Sequence, residues 1–527
     1  MSFLNLISFA GIFGLCAIAW LFSENRNPRY FPWRVVIAGL LLQFLLGALI
    51  FVVPGTRDLL QAFSTLLNGL FEAADAGARF IFGDILVPLP GRESLLLAPL
   101  APGGTCSPVT AGEILPGFCG IRLGYIFALR ALPAVIFFSA LVALLYNIGI
   151  LQVITELFAK IFYAAMRLSG AEALSGAANI FVGIESAIVV RPFLAKMTRS
   201  ELCAILACCF GTAASSTLAI YAAFLRPVFP NILGHLVSAS IMAIPACFVL
   251  SKILIPETGE PITAGGIPDE TLAFNLEASD GEDSSDRYEV DPPRRFNPMD
   301  ATIAGALDGL RMAASIVAVL IAVLGLVFLI NLFFASLANL ATSDIGFLRP
   351  IGQLFQVVTL QNILGALFLP LTLLTGVSLQ WDQLWQSSVL IGQRLLQTEI
   401  PSYQVLAAAS ALPAGERVLN DRVLLIVSYA LTGFAHFASV GIFVGGISAL
   451  APTRRKEIAA LGWKALFVGT LATYMIACIA GVFDTGNPQI LGRPTAAPVI
   501  APAAPVAPAP TEPAPAPVEA PPVSPAP

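Results

Sequence analysis

Two glutamates occupy settings in which an acid is costly. Glu185 follows a glycine inside the apolar run Asn179-Ile-Phe-Val-Gly-Ile-Glu-Ser-Ala-Ile-Val-Val-Arg-Pro-Phe193, and Glu399 lies far along the chain in Gln397-Thr-Glu-Ile-Pro-Ser-Tyr403. An ionisable group in hydrocarbon is a functional hypothesis by default. An ionised carboxylate only accepts hydrogen bonds, so this pair suits a ligand rich in N–H and O–H donors. The hydroxyls of Thr217, Thr398 and Ser439 and the imidazole of His436 extend that set in both directions. Asn179, Thr212 and the backbone carbonyls near Val182 and Ala213 offer neutral oxygens, the ligands a monovalent cation takes where helices break.

Each residue also has a plainer role. A glutamate in a span pairs with an arginine or a helix end, serine and threonine bond their own helix, and a lone histidine in a bundle is a satisfied core residue. Arg191-Pro192 serves as a cytoplasmic anchor and helix starter. Two glutamates in matching settings shift the balance towards a site.

Composition fixes the medium. Of 527 residues, 57% are hydrophobic and 12% charged, with mean hydropathy +0.83, which excludes a soluble globular protein and fits many bilayer spans. The 28 Lys and Arg form no basic patch with interleaved aromatics, so nucleic acid is not expected as a partner. The first apolar run, 6–22, lacks a basic start and a small-residue cleavage site and reads as a span rather than a leader.

The elements that must hold the two acids are about eight long apolar helices, at 5–23, 34–54, 125–148, 201–224, 232–255, 313–335, 423–447 and 459–483. Basic clusters at Arg26, Arg29 and Arg34, at Arg191, Lys196 and Arg199, and at Arg454, Arg455 and Lys456 share one side if both termini are outside. That side is then cytoplasmic. Between spans, 58–85 reads as an external interfacial helix, 87–120 as an external Pro/Gly-rich loop, and 151–168 as a helix along the inner surface. The acidic, Ser- and Pro-rich stretch 256–300 cannot bury enough apolar surface to offset its ordering entropy and is expected to be disordered. Residues 493–527 read as a polyproline-like tether. Six of eight cysteines lie in apolar helices, where they pack. Cys106 and Cys119, in the external loop, are either a disulfide or two free thiols.

The halves match in pattern. Each carries a Glu-bearing hairpin and then a helix interrupted by small polar residues, Phe210-Gly-Thr-Ala-Ala-Ser-Ser-Thr217 in one and Thr432-Gly-Phe-Ala-His-Phe-Ala-Ser439 in the other. By the parity above, one hairpin enters from inside and the other from outside, an inverted repeat. Irregular backbone at membrane depth is tolerated only where buried or lining a cavity, which predicts a polar chamber near midplane between the hairpins.

These residues resemble the concentrative nucleoside transporter family. The matching motifs are Asn179-Ile-Phe-Val-Gly183, Arg191-Pro-Phe-Leu-Ala-Lys-Met-Thr-Arg-Ser-Glu-Leu202, Asp308-Gly309, Leu360-Gln-Asn-Ile-Leu-Gly365, Tyr429-Ala-Leu-Thr-Gly-Phe-Ala435 and Gly445-Gly-Ile-Ser-Ala-Leu-Ala-Pro452. The resemblance implies an all-α, multi-pass protein of the cell (inner) membrane with two opposed re-entrant hairpins. It also implies a homotrimer, embedded in lipid, that takes up nucleosides with sodium or protons by an elevator-like motion, with no cofactor beyond the coupling ion.

On this resemblance 1–150 is scaffold, 151–255 the first transport repeat with its hairpin at about 172–196, and 256–300 a cytoplasmic loop. Residues 301–380 are a scaffold span with an external helix, 381–484 the second repeat with its hairpin at about 388–410, and 485–527 a disordered tail. Substrate would meet Ile184, Glu185, Thr217, Thr398, Glu399, Phe434, His436 and Ser439. Sodium would meet Asn179, the carbonyl of Val182, Thr212 and the carbonyl of Ala213. The chain departs from the family pattern in a first hairpin tip one residue shorter, with Ile184 where an amide would read the nucleobase, and in His436 for the usual ribose-contacting asparagine. The ribose half of the pocket is thus better preserved than the base half. A membrane enzyme would need a nucleophile with its base or a metal cluster, and a channel a continuous polar stripe; neither pattern occurs. A nucleoside-binding receptor without transport stays open.

Overall fold

The computed structural model describes residues 2–88, 95–99, 111–115, 118–122, 126–213, 215–266, 297–343, 345, 347–412 and 416–492. Apolar runs long enough for hydrocarbon become helices, because backbone groups there must be satisfied internally. Among the described residues five helices are long and apolar enough to cross a membrane alone. They are α1 (Phe3–Leu21), α2 (Trp33–Phe51), α10 (Ile232–Leu254), α11 (Pro298–Ala338) and α18 (Arg455–Phe483).

Fewer unbroken spans appear than the eight expected from hydropathy: two of those runs are cut by the small polar residues that marked them, and 125–148 qualifies only as a bent pair with the helix that follows it. Residues 201–224 divide into α8 (Arg199–Gly211) and α9 (Ser215–Leu225), and 423–447 into α16 (Asp421–Ala430) and α17 (Phe437–Leu450). The span expected at 313–335 is much longer. Helix α11 runs for 41 residues, about 60 Å at 1.5 Å per residue. Its first third carries Asp308 and Arg311, which pair at 2.7 Å on an exposed face, so a hydropathy reading cuts the helix short where the backbone does not.

The amphipathic segment at 58–85 is α3 (Pro54–Phe82). The loop expected at 87–120 holds a three-stranded antiparallel sheet, order β1-β3-β2, from Leu95–Pro99, Ala111–Leu115 and Phe118–Arg122. Pairing of Cys106 with Cys119 lies outside the described residues. Helix α4 (Phe127–Asn147) turns by 78° into α5 (Ile150–Met166), and α12 (Arg349–Val357) bends by 55° into α13 (Leu360–Leu374).

Two packed groups frame the site. Helices α1, α2, α10 and α18 pack together, and α18 also packs on α8 and α16. Helix α11 crosses α4 at close range because Gly305 and Gly309 face it: a Cβ on Gly305 would stand 2.5 Å from that of Ala143, and one on Gly309 2.8 Å from the Cα of Ile136. Small residues four apart allow such an approach in lipid.

The basic clusters do converge at one end. Glu24, after α1, pairs with Arg199 and Lys464, and Arg454 donates to the carbonyls of Ala195 and Met197 at 2.9 and 2.8 Å. At the other end Arg422 pairs with Asp484 at 2.9 Å and donates to Asn5 at 3.1 Å.

Two stretches expected to be disordered are docked at their near ends. Residues 256–266 fold back onto the basic end, where Gly170 N–H donates to the Thr263 carbonyl at 2.9 Å and Glu257 accepts from Lys252 at 3.1 Å. Pro488–Leu491 packs on α10, with His235 Nε2 2.8 Å from the Ile490 carbonyl. Buried polar partners and Ile490 and Leu491, 6% and 3% exposed, give each a reason to order that composition alone hides. The rest of both stretches, 267–296 and 493–527, lies outside the described residues.

Candidate functional site

Four elements build the site: two helical hairpins and two broken helices. The first hairpin comprises α6 (Gly170–Val182), a 3-10 return limb (Gly183–Val190) and the short α7 (Arg191–Leu194). Helix α6 starts at a capping box, in which Ser169 and Glu172 satisfy each other's backbone N–H, and ends where Gly183 takes φ +67°. The second hairpin is α14 (Trp381–Gln397) and α15 (Glu399–Ala411), joined at Thr398 with φ +66°. Its limbs are tied by Ser402 Oγ donating to the Leu390 carbonyl at 2.8 Å. Both tips thus share a left-handed backbone, natural for the glycine and strained for a β-branched threonine.

Glu399 opens α15 and is 2% exposed. Its Oε1 accepts from the hydroxyl of Tyr221, on α9, at 2.5 Å. Its Oε2 lies 3.4 Å from His436 Nε2 and, among the described residues, has no hydrogen-bond partner. The Thr398 hydroxyl is likewise buried without one. His436 caps α17: Ser439 N–H donates to Nδ1 at 3.3 Å, which leaves the neutral ring's proton on Nε2, the atom facing Glu399. Ser439 Oγ completes the group 2.8 Å from that Nε2. Phe434 meets the His436 ring edge-on at 6.1 Å.

Residues unmarked in the sequence reading hold this cluster. The ring of Tyr221 stacks on Tyr403 of α15, centroids 4.5 Å apart at 18°, and Tyr403 donates to the Ser428 carbonyl at 2.8 Å. Thr217, expected to touch substrate, is buried on α9 one helical turn before Tyr221. That spacing of four, on the polar face of a broken helix, was the available signal for Tyr221. Arg394 is 1% exposed and donates to the Ala430 carbonyl at 2.5 Å and to Thr473 Oγ1 at 3.1 Å. A lone arginine in an apolar run five residues before Glu399 was its signal.

The first hairpin meets the break of α8. Thr212, the C-cap of α8, has its Oγ1 3.1 Å from Asn179 Oδ1 and 2.8 Å from the Cys208 carbonyl, while Asn179 Nδ2 donates to Cys209 Sγ at 3.2 Å. Asn179 and Thr212 are 0% and 1% exposed. Two neutral oxygens from different elements, side by side at a helix break, fit a desolvated monovalent cation. Val182 ends α6 and Ala213 follows α8. The break of α16 joins the same place, since Phe434 N–H donates to the Thr212 carbonyl at 3.3 Å. The side chains of Ile184 and Glu185 lie outside the described residues; their backbone belongs to the return limb, which packs on α8 and α17.

Comparison with known proteins bears on the family of the chain. Models of the "Na+ dependent nucleoside transporter" N-terminus and C-terminus match residues 10–85 and 235–481, and a "Nucleoside recognition" gate model matches 128–228. An uncharacterized transporter of Haemophilus influenzae is 33% identical over 481 residues, 91% of this chain and 97% of its own. The nucleoside permease NupC of Helicobacter pylori is 30% identical over 485 residues, 92% and 99% of the two chains. The solved structure of CNTnw in an inward-facing substrate-bound state superposes with TM-score 0.73 at 32% identity, covering 92% of this chain and 99% of that one.

Proposed function

Because this chain belongs to the sodium-dependent nucleoside transporter family, an integral membrane family of carriers and not of enzymes, we propose that it takes up nucleosides or nucleoside-like compounds, coupled to an inward gradient of sodium, protons or both. One observation carries the reading. Glu399, Tyr221, His436 and Ser439 come from three separate elements to one buried point, where Oε2 of Glu399 and the Thr398 hydroxyl have no partner among the described residues. Buried polar groups are normally paired, so a ligand hydroxyl that donates to Glu399 Oε2 and accepts from the Thr398 hydroxyl completes the set.

In this reading Glu399 and Thr398 bind the sugar, Tyr221 fixes the carboxylate, and Phe434 offers an apolar edge. Asn179 and Thr212, with the carbonyls of Val182 and Ala213, receive the cation. An inward cation brings about 2.3 kcal/mol per charge per 100 mV. The hairpins are re-entrant in this proposal, entering from opposite faces. Residues 1–150 and 301–380, α4 and α11 among them, form a fixed scaffold past which the repeats 151–255 and 381–484 move as an elevator. The apolar flank of α11, with Leu326, Phe328 and Leu332 each more than half exposed, faces lipid and two further copies in a homotrimer.

The test is uptake of labelled nucleosides into proteoliposomes under imposed sodium or pH gradients. Stimulation by either gradient, abolished in Glu399→Gln, is expected. Binding without counterflow would instead make the protein a receptor.

A further inference from the structure

The two hairpins place chemically different side chains at corresponding points. Asn179 stands four residues before Gly183, and Arg394 four residues before Thr398. Gly183 and Thr398 end α6 and α14 with φ +67° and +66°, so each side chain projects one turn behind an equivalent tip. Both reach the C-terminal end of the first half of a broken helix. Asn179 lies beside Thr212, the C-cap of α8, and Arg394 donates to the carbonyl of Ala430, the last residue of α16. Such ends present orphan carbonyls and partial negative charge. In the first half neutral oxygens gather there. In the second the position is filled by a guanidinium, 1% exposed, whose further contact is Thr473 Oγ1 on α18. Among the described residues Arg394 forms no ion pair, and an unpaired buried charge is expensive enough to need a reason.

We propose that Arg394 is a tethered cation occupying, in the second repeat, the place that the candidate sodium site holds in the first. The carrier then moves one mobile cation with each substrate and keeps the second charge built in. This rests on the transport reading above and adds a role for a residue outside the substrate cluster.

Two measurements test it. Arg394→Lys keeps the charge, and Arg394→Gln removes it and leaves an amide like that of Asn179. In uptake assays the sodium Hill coefficient, bounded by the number of sites, should stay about 1 in wild type and R394K and rise towards about 2 in R394Q. In detergent without substrate, sodium chloride should raise the unfolding temperature of R394Q above its value in choline chloride by more than it does for wild type. Wild-type sodium dependence in R394Q uptake, or an R394Q unfolding temperature indifferent to the two salts, overturns the proposal. So does failure to recover folded R394Q in either salt while R394K is normal, because a site that sodium can fill should be rescued by it. A wild type that ignores sodium, with R394Q stabilised by it, would sink the first-repeat cation site and leave Arg394 in its role.

Discussion

Thr398 keeps φ at +66°, a conformation that costs a non-glycine residue on the order of 1–3 kcal/mol and persists at sites where neighbours over-determine it. Thr398→Gly is expected to leave the unfolding temperature in detergent unchanged or higher, and to weaken nucleoside binding several-fold through loss of the unpartnered hydroxyl. His436 separates two roles in the same way. Its Nδ1 caps α17, and asparagine is among the best caps whereas alanine costs about 1 kcal/mol. His436→Asn should therefore keep near-wild-type stability while shifting substrate affinity, and His436→Ala should lose both, as thermal unfolding with and without nucleoside would show. The acid at Glu399 was legible from its apolar surroundings. Tyr221 was legible only as a polar position four residues after Thr217, because that spacing names no partner until Glu399 is placed 2.5 Å from it.

Among elements, the basic end shows how helices are tied. Capping boxes start α6 and α8, Ser169 Oγ of one donates to Glu201 of the other at 2.6 Å, and Lys252 of α10 reaches Glu172 at 2.6 Å. Lys252 and Glu172 side chains are 5% and 1% exposed, so Lys252→Met would strand a buried carboxylate. Removing one member of such a pair costs about 3–5 kcal/mol, readable as a lower unfolding temperature, and Lys252→Arg should recover part of it. A second expectation concerns α4 and α11. Gly309→Leu cannot fit against Ile136 and Ser139, so it should abolish uptake even where the protein still binds nucleoside, if those helices are the fixed scaffold. Both helix breaks were legible as small polar runs inside apolar sequence. The full length of α11 was not, since Asp308 and Arg311 read as the end of a span until the structure shows them paired on an exposed face.

At the scale of the whole molecule, Glu24 joins the end of α1 to α8 and α18 through Arg199 and Lys464. Hydrogen bonding to Arg199 is the chief reason its carboxyl is held below the ordinary value of 4.5. A lowered folded-state pKa stabilises above the unfolded value and loses that contribution as pH falls through the folded one. Wild type should thus lose slightly more stability than Glu24→Gln on acidification below the ordinary glutamate range, by less than about 1 kcal/mol because the pair is partly solvated. Unfolding temperature measured against pH for both proteins checks this. Membrane residence, the two interrupted helices and the acid in each hairpin were determined by the sequence itself, because hydrocarbon penalises every unsatisfied polar group and so makes each exception visible. Which polar groups meet was decided only in three dimensions. Tyr221 and Glu399 are 178 positions apart, and His235 and Ile490 are separated by 255. Local composition carries no record of a partner that distant, and the order in 256–266 and 488–491 comes from surfaces supplied by the rest of the chain.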